Sequence, residues 1–248
     1  MQTLKQSVSQ VETPDVETSS ADYARRFSGS VGQYFLDLQA REVLRLLSRW
    51  PDARVLEVGG GHGQLAIPLV RNGFDLTVTG SDQTCRERLD MLLEPGSFRY
   101  QSCNLVELPF DANAFDIVLA FRLLTHLNLW QKLVGEMCRV ARKAIIVDYP
   151  DIRSFNLISN FLFGAKKAIE GNTRPYHCFR RKEILGAFSR GGFDRPLIRP
   201  QFFVPMVVHR RIGLAYVSQT VEAVASLTGL TRLFGSPIIL CASAEATT

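Results

Sequence analysis

The chain has 248 residues, 46% of them hydrophobic, and a formal net charge of +5. That is enough apolar material for one substantial core and too little length to require several domains. Five scattered cysteines (Cys85, Cys103, Cys138, Cys178 and Cys241), an odd number without a C-x-x-C pair, argue against a disulfide framework or zinc site and fit a reducing cytoplasm.

Residues 1–20 are rich in Gln, Ser, Thr, Val and Glu and lack the charged-then-apolar order of a signal peptide. They read as a mobile tail. Over 21–50, Phe35, Leu38, Val43, Leu46, Leu47 and Trp50 fall near the spacing of one helix face, and Pro51 ends the helix. Tyr23, Arg26 and Tyr34 on this segment are candidates to roof a site formed further on.

The next stretch is Val55-Leu56-Glu57-Val58-Gly59-Gly60-Gly61-His62-Gly63-Gln64-Leu65-Ala66. It reads as a short apolar strand, a glycine-dense turn and the first turn of a helix. Gly59, Gly61 and Gly63 let a ligand lie against bare backbone, because no Cβ intervenes. The helix beyond points its unpaired N–H groups at the same place. A second apolar run, Thr77-Val78-Thr79-Gly80-Ser81, ends in the acid Asp82. Read as Gly61-x-Gly63-x-x-Ala66 with Asp82 about twenty residues on, the loop satisfies the dinucleotide fingerprint of a nicotinamide-dependent oxidoreductase. Read as Glu57-x-Gly59-x-Gly61-x-Gly63, it is the first motif of another cofactor class. The structural alternative is an ordinary strand-to-helix turn, with Asp82 as a helix N-cap.

Downstream segments decide between these readings. Asn104-Leu105-Val106-Glu107-Leu108-Pro109-Phe110 is followed by an apolar strand, Phe115 to Phe121. Arg139-Val140-Ala141-Arg142-Lys143 then precedes another, Ala144 to Tyr149. Together with the glycine turn and Asp82, these segments make residues 50–150 resemble the class I S-adenosylmethionine-dependent methyltransferases. The resemblance is to the branch of the ubiquinone and menaquinone C-methyltransferases and many small-molecule enzymes. It implies an α/β, Rossmann-like three-layer sandwich whose mostly parallel seven-stranded sheet ends in an antiparallel last strand. It also implies S-adenosyl-L-methionine as cofactor, with a role for each motif position. Glu57 orients the loop or reaches the methionine amino group; Gly59, Gly61 and Gly63 admit the methionine moiety. Asp82 holds the ribose hydroxyls, Gln83 and Leu105 flank the adenine, and the Phe121 backbone faces the methionine end. Asn104 stands where the family usually has Asp, and its side-chain carbonyl still accepts from the adenine amino group. Lys143 replaces the usual glycine pair in a turn distant from the cofactor.

The expected organisation is a single methyltransferase domain over 21–248, with a helical segment at 21–50 and a helical insertion at 151–180. In the insertion, Phe155, Ile158, Phe161, Leu162, Ala165 and Ile169 recur at helical spacing. Either the insertion packs on the sheet or it is a lid over a lipophilic acceptor. Its polar Asn156, Ser159 and Asn160 exclude a bilayer span of ~20 apolar residues. The basic groups Lys166-Lys167, Arg180-Arg181-Lys182 and His209-Arg210-Arg211 lie in no nucleic-acid-binding motif. They disfavour a nucleic-acid partner and suit solvated faces, an anionic small substrate or peripheral contact with membrane headgroups. Towards the end, Gln201 to His209 is expected as a strand and Ser236 to Ala242 as the final antiparallel one. Between them Leu214, Val217, Val221, Val224 and Leu227 form a helix stripe.

The sulfonium cofactor brings an activated methyl group, so the protein's task is alignment, exclusion of water and, for an oxygen acceptor, a base. His126, after the fourth strand, is either that base or an anchor for the next helix. His177 either closes over the substrate or is structural, and Tyr149 either touches substrate or packs the sheet edge. No metal is expected, and the acceptor is expected to be a small or lipid-like molecule methylated at O, N or C. A non-catalytic cofactor-binding protein is the remaining alternative.

Overall fold

The computed structural model describes residues 12–154 and 176–244. Short apolar runs form the central strands of one sheet, with more polar strands at its two edges. They are β1 (Arg54–Val58), β2 (Asp75–Gly80), β3 (Arg99–Ser102), β4 (Phe115–Ala120), β5 (Ala141–Tyr149), β6 (Arg195–Pro200) and β7 (Ile238–Ser243). Their order is β3-β2-β1-β4-β5-β7-β6. Only β7 is antiparallel to its neighbours, as the sequence resemblance implies.

Every residue of β4 and β7 is buried, because helices cover both faces of the sheet. Val55, Ile117, Leu119 and Ile146 pack with Val43, Leu46 and Leu47 of α3 (Gly29–Leu47) and Leu69 of α4 (Ala66–Arg71). The alternate residues Leu56, Val118, Ile145 and Val147 face Leu133, Val134 and Met137 of α6 (Trp130–Val140) and Phe188 of α7 (Arg181–Ser189). A short α5 (Glu87–Leu92) follows β2. The parallel strands present all their carboxyl ends on one side, where loops gather.

Three expectations need correcting. Residues from Pro14 onward are not a tail: α1 (Pro14–Thr18) and α2 (Ala21–Arg25) precede α3, and Asp15 is fully buried. The strand before β7 is Arg195–Pro200 rather than 201–209. Its Pro196 and Pro200 are tolerated because β6 is an edge strand. Residues 206–212 instead form α8 (Met206–Ile212), entered through Pro205.

The third correction concerns the helix stripe. Leu214 and Leu227 bound a real helix, α9 (Ala215–Leu227), followed by α10 (Leu230–Phe234), but the apolar stripe faces outward. The buried side carries Ser218, Glu222 and the small Ala225. The Glu222 carboxylate accepts from the Phe203 and Val204 amides, both at 2.9 Å, and lies 2.9 Å from Nε2 of buried His209. These partly buried amides and the buried imidazole are satisfied by Glu222, which draws its side of α9 inward. The stripe expected at 155–169 lies outside the described residues.

Glu222→Ala should therefore lower the unfolding free energy by about 3 kcal/mol, since it strands two amides and an imidazole. Denaturant unfolding checks this, and a change below about 1 kcal/mol would reject the account.

Candidate functional site

At the carboxyl end of β1 the chain reverses through Gly59 and Gly63, both left-handed, at φ +68° and +74°. The Gly59 amide donates to Thr79 O at 2.8 Å, tying the turn to β2. A Cβ on Gly60 would stand 2.5 Å from the Glu57 carboxyl carbon, and one on Gly61 would stand 2.2 Å from the Cys85 carbonyl oxygen. Neither position has space for a side chain.

Glu57 lies beneath this turn with 0% of its surface exposed and no hydrogen-bond partner on either carboxylate oxygen. Burial pushes its pKa from 4.5 up to about 8, an effect that the nearby Ala66 amide offsets only in part. At that pKa the group is mostly protonated at neutral pH, and a cation reaching the turn, such as an ammonium group, would ionise it and supply the partner it lacks.

His62 latches the turn to the end of β4. Its Nδ1 accepts from the Gln64 amide at 3.0 Å, and its Nε2–H donates to the Phe121 carbonyl at 3.3 Å. Burial, with Arg122 and then Arg88 adding to it, depresses its pKa to about 3, so the ring is neutral. Arg88 also donates to the His62 carbonyl at 3.0 Å. Gln64 in turn donates to Gln39 of α3 at 2.6 Å, and Arg122 reaches the same oxygen at 3.4 Å.

Helix α1 lies across this turn. The Asp15 carboxylate accepts from the Ser81 amide at 2.8 Å and from the Ser81 hydroxyl. Its Cβ is 3.5 Å from where a Gly59 Cβ would stand, and Ser19 Oγ is 2.3 Å from the equivalent point at Gly61. The outer faces of both glycines are thus covered by side chains from the segment expected to be a tail.

The remaining motif residues gather on the same side of the sheet. Asp82 is exposed, and one of its oxygens accepts from the amide and hydroxyl of Thr84, both at 2.8 Å. Gln83 beside it is exposed. Asn104 follows β3 and its carbonyl accepts from Val106 N at 3.3 Å, while Leu105 is fully buried in the core. The Leu105 side chain therefore packs inward rather than standing free beside the loop.

A second cluster forms beyond β4 and β5. Arg122 is held at φ +55°, a left-handed conformation that costs a non-glycine residue of order 1 kcal/mol. Its amide donates to Asp148 Oδ1 at 2.6 Å, and its guanidinium lies 3.8 Å from the Phe27 ring centroid. Burial raises the Asp148 pKa to about 6, against the lowering effect of the Arg122 amide and charge. Asp148, Arg122, His126, Tyr176, Phe27 and Met206 line a cavity of about 210 Å³. The His126 ring is 5.8 Å from that of Tyr176. His177 does not line the cavity; its amide and carbonyl pair with Thr125 at 2.8 Å each, anchoring the loop. Tyr149 is buried edge-on against Phe179 at 6.0 Å and belongs to the core. Of the N-terminal candidates, Tyr23 lines the cavity, while Arg26 pairs with Glu17 at 3.3 Å.

Asp148 and His62 are the functional candidates that sequence reading passed over. Asp148 carried a usable signal, an acid ending an apolar strand at the carboxyl edge. The left-handed Arg122 carried none, because nothing local demands that conformation.

Residues 56–146 match the family model of the methyltransferase domain. Among curated proteins, an O-methyltransferase of Pyrenophora dematioidea is 26% identical over 117 residues, covering 45% of this chain and 43% of that protein. The match thus spans less than half the length of that relative. Two solved structures share the fold. A S-adenosylmethionine-dependent methyltransferase of Thermotoga maritima, a possible histamine N-methyltransferase, has a TM-score of 0.62 and 16% identity over 90% of this chain and 95% of that one. The magnesium protoporphyrin IX methyltransferase of Synechocystis, with bound S-adenosylhomocysteine, has a TM-score of 0.61 and 17% identity over 90% and 94%.

The ionisation of Glu57 makes a prediction about stability. Its folded pKa of about 8 lies above the ordinary 4.5, so its contribution is full below pH 4.5 and is lost as pH rises towards 8. The slope is about 1.4 kcal/mol per pH unit. Glu57→Gln should flatten that loss and stabilise the ligand-free protein by about 1–3 kcal/mol at neutral pH. Unfolding curves across this range test it; an unchanged pH slope would remove Glu57 as its source.

Proposed function

We propose that this chain, whose residues 56–146 match the model of a methyltransferase domain, is an S-adenosylmethionine-dependent enzyme that transfers a methyl group to a small or lipophilic acceptor. The observation that carries this reading is the Glu57 carboxylate, buried and unpartnered beneath the glycine turn. The methionine amino group of S-adenosylmethionine is a cation of the kind this carboxylate lacks. When bound, the cofactor supplies a methyl group already activated on a sulfonium.

The protein's own residues then divide the work. Glu57 would hold the amino group, the bare backbone of Gly59 and Gly61 the methionine moiety, and Asp82 the ribose hydroxyls. Gln83 would flank the adenine, with the Asn104 carbonyl facing its amino group. Because Asp15 and Ser19 stand over the glycines, loading the turn requires α1 to shift. The acceptor occupies the cavity between Arg122, Asp148, His126 and Tyr176, where aromatic and Met206 surfaces suit an apolar body.

Asp148 is the base this reading favours, because it is ionised at neutral pH yet basic enough to take a proton. A base suits a hydroxyl acceptor, in keeping with the name of the Pyrenophora relative. His126 on the cavity wall is the other candidate base, while His177 serves by anchoring the loop. The five free cysteines fit a reducing compartment such as the cytoplasm.

Calorimetric titration with S-adenosylhomocysteine, with nicotinamide dinucleotide as control, tests the cofactor. Micromolar binding of the first alone is expected, and Asp82→Ala should weaken it at least tenfold, about 1.4 kcal/mol. Binding of the dinucleotide instead would make the chain an oxidoreductase. Binding without turnover of phenol, quinone or lipid acceptors would make it a non-catalytic cofactor binder.

The role of Asp148 appears in the pH profile. With a base of pKa about 6, kcat/KM should fall about tenfold per pH unit below that value, because protonation removes the base. Asp148→Asn should lower kcat about 10²- to 10⁴-fold and abolish this acid limb. An intact limb in that variant would move the role to His126.

A further inference from the structure

Helix α9 buries Ser218 and Glu222 and exposes the apolar residues that a soluble helix ordinarily hides. Tyr216 is 66% exposed and Leu227 88%, with Val224 between them on the same face. Ile212 of α8 and Leu233 and Phe234 of α10 continue the exposed apolar surface along the chain. This is more than the scattered single leucines that any protein surface carries.

Charge distinguishes the partners this surface can take. From 206 to 235 the chain has three arginines, Arg210, Arg211 and Arg232, all exposed, and one acid, Glu222. Glu222 is 7% exposed and engaged with His209 and two backbone amides, so the exposed charges of this segment are all cationic, with the Arg210 guanidinium also donating to the Arg26 carbonyl. A second copy seated on it by a two-fold axis would bring the same arginines near each other. A bilayer with anionic headgroups accepts both properties, taking apolar side chains at the acyl boundary and arginines at the headgroups. Tyr216 has the amphipathic ring favoured at that depth. With 13 residues, α9 is too short to cross a bilayer, and no helix among the described residues is long and apolar enough to do so.

We propose that the face formed by α8, α9 and α10 rests on a membrane surface carrying anionic lipid headgroups. Sedimentation of the full chain with phosphatidylcholine vesicles, with and without phosphatidylserine, tests this directly. Binding is expected only to the phosphatidylserine vesicles and should weaken as salt rises. Arg232→Ala should weaken it about fivefold, Arg232→Lys should retain it, and Leu227→Asp should reduce it strongly. Both positions are exposed and neither lines the proposed acceptor cavity, so S-adenosylhomocysteine binding should be unchanged in these variants and reports separately on the proposed activity. Two results would overturn the proposal: no difference between the two vesicle types, or a dimer in solution that Leu227→Asp converts to monomer.

Discussion

Glu57 is kept from water by a turn that only glycine can make, and the rest of the site is arranged around that constraint. Gly60 is needed because its missing Cβ leaves room for the Glu57 carboxylate, and Gly61 because the Cys85 carbonyl approaches so closely. From the turn, hydrogen bonds run outward through His62 to the end of β4, and through Gln64 and Gln39 to Arg122. The Arg122 amide then reaches Asp148 at the end of β5. The glycine turn and the cavity beside Asp148 are therefore two ends of one polar network. A change at either end should be felt at the other, because each donor in the chain is positioned by the next.

The ionisable groups in and beneath this network titrate far from their ordinary ranges. Burial raises the pKa of Glu57 and Asp148 and lowers that of His62, so each disfavours its charged state. The backbone at Arg122 stores strain in the same place. Such concentration of unfavourable terms is the usual mark of a site kept for binding or chemistry rather than for stability.

The C-terminal helices follow the opposite logic to the sheet. Around β1 and β4 apolar residues are inside and the pattern of each strand predicts its place. Around α9 a carboxylate and an imidazole occupy the interior and the valines and leucines are outside. The inversion is enforced by the Phe203 and Val204 amides, which the bend after β6 leaves without strand partners and which Glu222 satisfies. An apolar outer surface follows from a polar requirement inside.

By itself the sequence determined the alternation of strands and helices, the glycine turn and the acid ending β2, while the antiparallel sense of the last strand came from the family resemblance alone. The former rest on runs of neighbouring residues: apolar periodicity, the missing Cβ of glycine and the break that proline imposes. Only the tertiary structure decided that Asp15 belongs to the site, since its partner Ser81 is 66 residues away. Only the tertiary structure could place the edge strand at Arg195–Pro200, because pairing with β7 rather than propensity selects it. It likewise chose the polar face of α9, brought Asp148 beside Arg122, and turned the Leu105 side chain into the core. In each case the deciding contact lies between segments far apart in the chain, and local pattern carries no information about who the partner will be.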